Sequence, residues 1–206
     1  MVLAAAIGAG TLGVTPLLAQ TPATETTIYR GSEHRYTVAL PVGCRHVEGP
    51  RTVDAICAVD LDPKKSAVAS AARSLLLSVA AESLTGEGDT SITGLLKRYT
   101  EASFKAEIPE AVCGESDQAR AKIENLSQAV EGEDLVYTAD VTCAEIKFLQ
   151  IGRRHALVRH VIGPDAVFRL VARAPEEVFD TQRSTIDAFF ASFQLSAAAK
   201  AEQAGK

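Results

Sequence analysis

Apolar and polar residues alternate in Tyr36-Thr37-Val38-Ala39-Leu40, the period of two that sends every second side chain to one face of a strand, and Pro41 stops the run. A second strand is expected over Thr52 to Val59, with the turn-rich stretch Gly43 to Pro50 between the two. At Asp62-Pro63 the signal changes, because Asp is a good N-cap and Pro is pre-organised for the first helical position. Val68, Ala72, Leu75, Leu76 and Val79 then recur at helical spacing, which predicts a helix closed by Gly86-Glu87-Gly88. A second helix is expected from Ser91 to about Ile108, burying Leu95, Tyr99 and Phe104.

Beyond Pro109 the period returns to two. Strands are expected at Ala121 to Val130, Leu135 to Val141 and Ile146 to Ile151, followed by the pair Arg153 to Ile162 and Ala166 to Ala174. A closing helix from Pro175 to about Phe193 offers Val178, Phe179, Ile186, Phe189 and Phe190 to a core. Residues 21–27 read as a polar leader and 196–206 as a charged, Ala-rich disordered tail. A block of sequential strands bracketed by helices is the pattern of one α+β domain over residues 28–195, an antiparallel β-sheet with helices packed on it.

The last strand pair carries a further expectation. Ala156, Val158, His160 and Ile162 share a parity, as do Ala166, Phe168, Leu170 and Ala172, and a three-residue loop at Gly163-Pro164-Asp165 would put both sets on one face. The opposite face then collects Arg153, His155, Arg159, Arg169 and Arg173 around Leu157, Val161, Val167 and Val171. Arginine forks suit carboxylates and phosphates, so this cluster is a candidate site for an anionic ligand or an acidic protein partner. The competing reading is a sheet face whose arginine stems cover apolar surface while the heads pair with Glu176, Glu177 and Asp187 of the closing helix.

Charge and cysteine usage place the chain in a compartment. The first charged side chain is Glu25, so Met1 to Gln20 is an uncharged run rich in Ala, Leu, Val and Gly, with Ala19 suited to a signal-peptidase −1 position. Residues 1–20 are read as a signal peptide. Its missing basic n-region points to a start codon further upstream, and an uncleaved membrane helix is the alternative, weakened by Gly8, Gly10, Gly13 and Pro16. The formal net charge of −5 argues against a nucleic-acid partner, and no second long apolar run suggests stable membrane insertion after cleavage. Cys44, Cys57, Cys113 and Cys143 match no zinc or thioredoxin spacing, and an even count behind a signal sequence suggests two disulfides, Cys44 with Cys57 and Cys113 with Cys143. Four reduced thiols are the competing state, and it gains if the chain is not exported.

Catalytic and metal chemistry find little support. No H-E-x-x-H or H-x-H spacing supplies two metal ligands from His34, His46, His155 and His160, and His160 reads as a hydrogen-bonded core residue. Neither G-x-S-x-G nor S-x-x-K occurs, which leaves only a triad assembled from distant Ser, His and Asp. The acids Asp60 with Asp62, Glu87 with Asp89, and Glu131 with Glu133 and Asp134 sit at turns or helix starts, where acids are common. Gly86-Glu87-Gly88 lacks the third glycine of a dinucleotide fingerprint, and no cofactor is expected. Asn125-Leu126-Ser127 is a glycosylation sequon that matters only in a eukaryotic secretory host.

A first strand ending Leu40-Pro41-Val42-Gly43, strands finishing in Phe168-Arg169-Leu170-Val171-Ala172 and a closing helix ending Phe189-Phe190-Ala191-Ser192-Phe193 resemble the PsbP-like fold, the superfamily of the extrinsic photosystem II protein PsbP and a Ran-binding transport factor. The resemblance implies an α/β/α sandwich and members that act by binding partners. No functional residue of that superfamily carries over by motif. The reading that results is an exported, non-enzymatic accessory or partner-binding protein of a bacterial cell envelope, periplasmic or secreted. Its alternatives are a small periplasmic hydrolase with a dispersed Ser/His/acid site and a purely structural envelope component. Export predicts that the protein recovered from its host lies outside the cytoplasm with an N-terminus near residue 20. Intact-mass measurement checks this, and a cytoplasmic form retaining Met1 contradicts it.

Overall fold

The computed structural model describes residues 26–31, 36–46, 53–59, 74–84, 88–113, 121–147 and 150–195. Among them the chain runs β1 (Thr27–Gly31), β2 (Tyr36–Leu40), β3 (Cys44–His46), β4 (Ala55–Val59), β5 (Leu75–Ser83), α1 (Ile92–Arg98), α2 (Glu101–Cys113), β6 (Lys122–Glu131), β7 (Asp134–Lys147), β8 (Gln150–Ile162), β9 (Ala166–Pro175), α3 (Glu176–Thr181), α4 (Arg183–Ala191) and β10 (Gln194–Leu195). Seven strands form one antiparallel sheet in the order β3-β4-β5-β9-β8-β7-β6, and β1, β2 and β10 form a small sheet with β2 in the middle.

The sequence of β9, Ala-Val-Phe-Arg-Leu-Val-Ala-Arg-Ala-Pro, is apolar at nearly every position, as a strand covered on both faces must be. On one face Phe168, Leu170, Ala172 and Ala174 join Leu75, Leu77 and Val79 of β5 and Leu157 and Val161 of β8. Phe179, Ile186, Phe189 and Phe190 of the closing helices cover this face together with Tyr36 and Val38 of the small sheet. On the other face Val167 and Val171 join Ala156, Val158 and Ile162 and the Leu135, Tyr137, Ala139, Val141 series under Leu95, Phe104, Ile108 and Val112. The result is the expected α+β sandwich, a sheet between α1/α2 and a layer of α3, α4 and the small sheet. Tyr36, Phe168 and Phe193 tie that small sheet down, with ring centroids 5.4 to 5.6 Å apart.

Several elements differ from the sequence expectation. Leu75, Leu76 and Val79, expected on a helix, lie in β5, where burial alternates and Leu75, Leu77 and Val79 point to the core. Three consecutive leucines satisfy either period, and pairing with β9 on one side and β4 on the other decides for the strand. The helix start at Asp62-Pro63, Val68, Ala72 and Gly86-Glu87 lie outside the described residues, as do 1–20 and 196–206. The helix expected from Ser91 to Ile108 is two: Ser91 caps α1 by accepting from Gly94 N at 3.2 Å, Tyr99 turns extended, and α2 runs on through Pro109 to Cys113. The closing helix is likewise α3 and α4, and β10 follows it. β1 begins within the polar leader, β3 occupies part of the turn-rich stretch, and Ile146 pairs with Ile151, so the strand expected over 146–151 spans the ends of β7 and β8.

Two disulfides pair as expected. Cys44–Cys57 joins adjacent β3 and β4 with Cα atoms 5.3 Å apart, and Cys113–Cys143 ties the end of α2 to β7 at 5.5 Å. The second closes the longer loop and fastens a whole layer to the sheet. Replacing Cys113 and Cys143 together by Ala should lower unfolding stability by about 3–4 kcal/mol on chain-entropy grounds. Chemical denaturation of oxidised wild type against the variant checks this; equal midpoints contradict it.

Candidate functional site

The register of β8 with β9 decides where the basic residues go. Ile162 pairs with Val167, so four residues, not three, separate the paired ends, and Gly163 N donates to Ala166 O at 2.9 Å inside that turn. The one-residue difference reverses the expectation: His160 stands opposite Arg169 and Ala156 opposite Arg173, while Arg159 stands opposite Leu170 and His155 opposite Ala174. Arg153, His155 and Arg159 therefore lie on the α3/α4 side of the sheet, and Arg169 and Arg173 on the α1/α2 side. The five do not form one face.

Each of the five meets a protein partner. On the α3/α4 side Arg153 Nη1 lies 3.9 Å and His155 Nε2 3.5 Å from the same Oε1 of Glu176, at the corner where α3 begins. His155 also sets its ring edgewise to Phe179 at 5.6 Å. Arg159 Nη2 donates to Glu131 Oε2 at 2.7 Å. On the other side Arg169 bridges Glu82 at 2.7 Å and Glu107 at 3.5 Å, and Arg173 Nη1 donates to the Val112 carbonyl at 3.4 Å. Of the acids expected to pair with them, Glu176 does so; Asp187 binds Arg183 within α4 at 3.0 Å. The sequence does not reveal Glu82 and Glu107 as partners, because its periodicity places Glu82 near the end of one expected helix and Glu107 on another that runs from Ser91 to about Ile108.

His160 is buried on the α1/α2 side, its ring 4.6 Å from Phe104 in an edgewise contact. Burial, with a smaller contribution from the Arg169 charge, pushes its pKa down to about 3, so the imidazole is neutral at neutral pH. Tyr99, Ser103, Glu107, Tyr137 and His160 line a recess with room for about one water molecule. Two of its hydroxyls are engaged in structure: Ser103 donates to Thr100 O at 2.8 Å at the start of α2, and Tyr137 donates to Tyr99 O at 2.8 Å across the break between the helices. Ser103 is thus a capping serine, and the recess has the composition of a core margin.

The buried histidine makes the fold acid-sensitive. Its folded pKa lies below its unfolded one, so the unfolded chain binds the extra proton between about pH 6.5 and 3; full stability is present above that window and is lost as pH falls. The slope from this group is about 1.4 kcal/mol per pH unit within it. Denaturation across this range should show His160→Gln with a flatter acid limb, and the His160 ring proton resonances should hold their neutral positions below pH 6. A ring that titrates near pH 6.5 contradicts its burial.

No protein-family model and no curated protein sequence matches the chain. Solved structures do. The cyanobacterial PsbP protein CyanoP of Synechocystis sp. PCC 6803 aligns with a TM-score of 0.59 at 17% identity, over 88% of this chain and 100% of that one. LpqN, involved in cell envelope biogenesis of Mycobacterium tuberculosis, aligns with a TM-score of 0.45 at 11% identity over 84% of this chain and 91% of that one. Protein PA94 of Pseudomonas aeruginosa gives a TM-score of 0.42 at 11% identity over 79% and 91%. The CyanoP alignment covers most of this chain and all of the other, and the chain has the PsbP-like fold.

Proposed function

We propose that this chain is an extracytoplasmic accessory protein of the cell envelope, bacterial and periplasmic, that acts by holding an acidic partner rather than by catalysis. Two disulfides within one small domain support the compartment, since such bridges persist where thiols are oxidised. The observation that carries the binding reading is the corner between β8 and α3. There Arg153, two-thirds exposed, and His155 lean on the single carboxylate of Glu176. Arg153 at 3.9 Å is loosely held and largely exposed, so a carboxylate of a partner can displace or share that contact, with His155 beside it as a further hydrogen-bonding group. Arg159, Arg169 and Arg173 are closer to their own partners and serve the sheet.

Replacing Arg153 and His155 together by Gln should weaken binding to a poly-glutamate probe by about 3- to 10-fold at low salt, which corresponds to removing one or two exposed charge contacts. The salt dependence of binding should fall with it, and the melting temperature should stay close to wild type. Binding unchanged, with a lowered melting temperature, would instead make these side chains part of the fold's covering.

A further inference from the structure

The outer edge of the large sheet is β6, ten residues long, and every one of them is exposed except Ile123 and Leu126, which are half-buried. Among the described residues no strand neighbours its backbone groups on the side away from β7. Val130 stands half exposed at one end. A tight turn delivers the strand: Glu131 pairs with Asp134, and Gly132 takes the φ of +68° that such a two-residue connection requires. Long edges of this kind pair with other chains unless something prevents it.

We propose that this edge is a dimer interface, in which β6 of one copy pairs antiparallel with β6 of a second copy and joins two seven-stranded sheets into one continuous sheet. The strand reads Lys-Ile-Glu-Asn-Leu-Ser-Gln-Ala-Val-Glu. Laid antiparallel against itself about the centre between Leu126 and Ser127, it sets Lys122 opposite Glu131, Ile123 opposite Val130 and Glu124 opposite Ala129. The ends are of opposite charge and meet twice by symmetry. The pairs next to them are apolar. Directly opposed residues of an antiparallel pair are near enough for both kinds of contact to stabilise it.

The bulge in the middle of β6 is what makes this register possible. In a regular antiparallel ladder hydrogen-bonding and non-bonding positions alternate, so a strand cannot pair with its own copy about a point between two adjacent residues. Here Glu124 stands opposite Asp140 and Ser127 opposite Thr138, three steps along β6 against two along β7, with Asn125 at a φ of +50°. The alternation therefore restarts one residue late. With that offset Lys122, Glu124, Ala129 and Glu131 share one face of the sheet and Ile123 and Val130 the other, so each proposed pair matches both in face and in hydrogen-bonding direction. Within the chain Lys122 Nζ bonds Glu124 Oε1 at 2.7 Å, and Arg159 bonds Glu131 Oε2 at 2.7 Å. The second copy's lysine would add to the Arg159–Glu131 pair through the other carboxylate oxygen. Charges and a bulge also serve to protect edges from association; here they are placed so that a second copy of this strand meets them in complementary order.

Sedimentation equilibrium or light scattering on the full chain tests the proposal by charge exchange. Wild type should dimerise, and Lys122→Glu and Glu131→Lys should each weaken association by about tenfold or more, because each places like charges opposite at both ends. An equimolar mixture of the two single variants should dimerise again, since every end then faces its opposite. The double variant Lys122→Glu/Glu131→Lys should dimerise alone, which also guards against a single variant that fails to fold. A wild type that stays monomeric at every concentration overturns the proposal. So does a dimer indifferent to either single change, or one that the mixture and the double variant both fail to restore; a wild-type monomer whose β6 amides gain exchange protection only with an added extended peptide would assign the edge to a different chain.

Discussion

The structure depends on β9 being buried on both faces at once. A strand with one wet face could have a helix on one side only, and the chain would need no second layer. Because Val167 and Val171 point one way while Phe168, Leu170 and Ala172 point the other, α1/α2 must cover one side and α3/α4 with the small sheet must cover the other. The pairing of β9 with β5 extends the second core toward the small sheet, and its pairing with β8 extends the first toward β7. Large-to-small changes at these positions would be felt in both layers, since each residue is packed between elements far apart in sequence.

The same strand sets the charge distribution. In the observed register Arg169 and Arg173 cannot accompany Arg159, because neighbours across the pair share a face. Arg169 accordingly stands beside the buried His160 and between Glu82 and Glu107, where its charge lowers the histidine's proton affinity. Arg153 and His155 are left with one acid at an exposed corner. A basic patch in the sequence became two unlike environments through a single extra residue in the turn at Gly163.

Much of this was legible in the chain. Strict alternation identified β2 and the core-facing residues of β7, Phe189 and Phe190 identified the closing helical region, and the Cys pairs followed from neighbouring elements. Leu75 to Val79 was not legible, because a run of leucines fits a helix and a doubly covered strand equally well until its neighbours are known. β1 and β3 are short strands whose existence depends on β2 and β4 offering an edge. The face of each arginine was hidden for a different reason: both registers of β8 and β9 bury apolar residues, and only packing on both sides of the sheet selects between them. His160 was recognisable as a core residue from its parity with Val158 and Ile162, although its neighbour Arg169 was not.

The β8–β9 register is therefore the claim on which the two-layer core and the separation of the basic residues both rest. Cross-strand Hα contacts measured by NMR in the oxidised protein test it most directly. The account predicts contacts that follow the pairing of Ile162 with Val167 and His160 with Arg169. Contacts displaced by one residue, linking Ile162 to Ala166 and Arg159 to Arg169, would return the five basic residues to one face and contradict it.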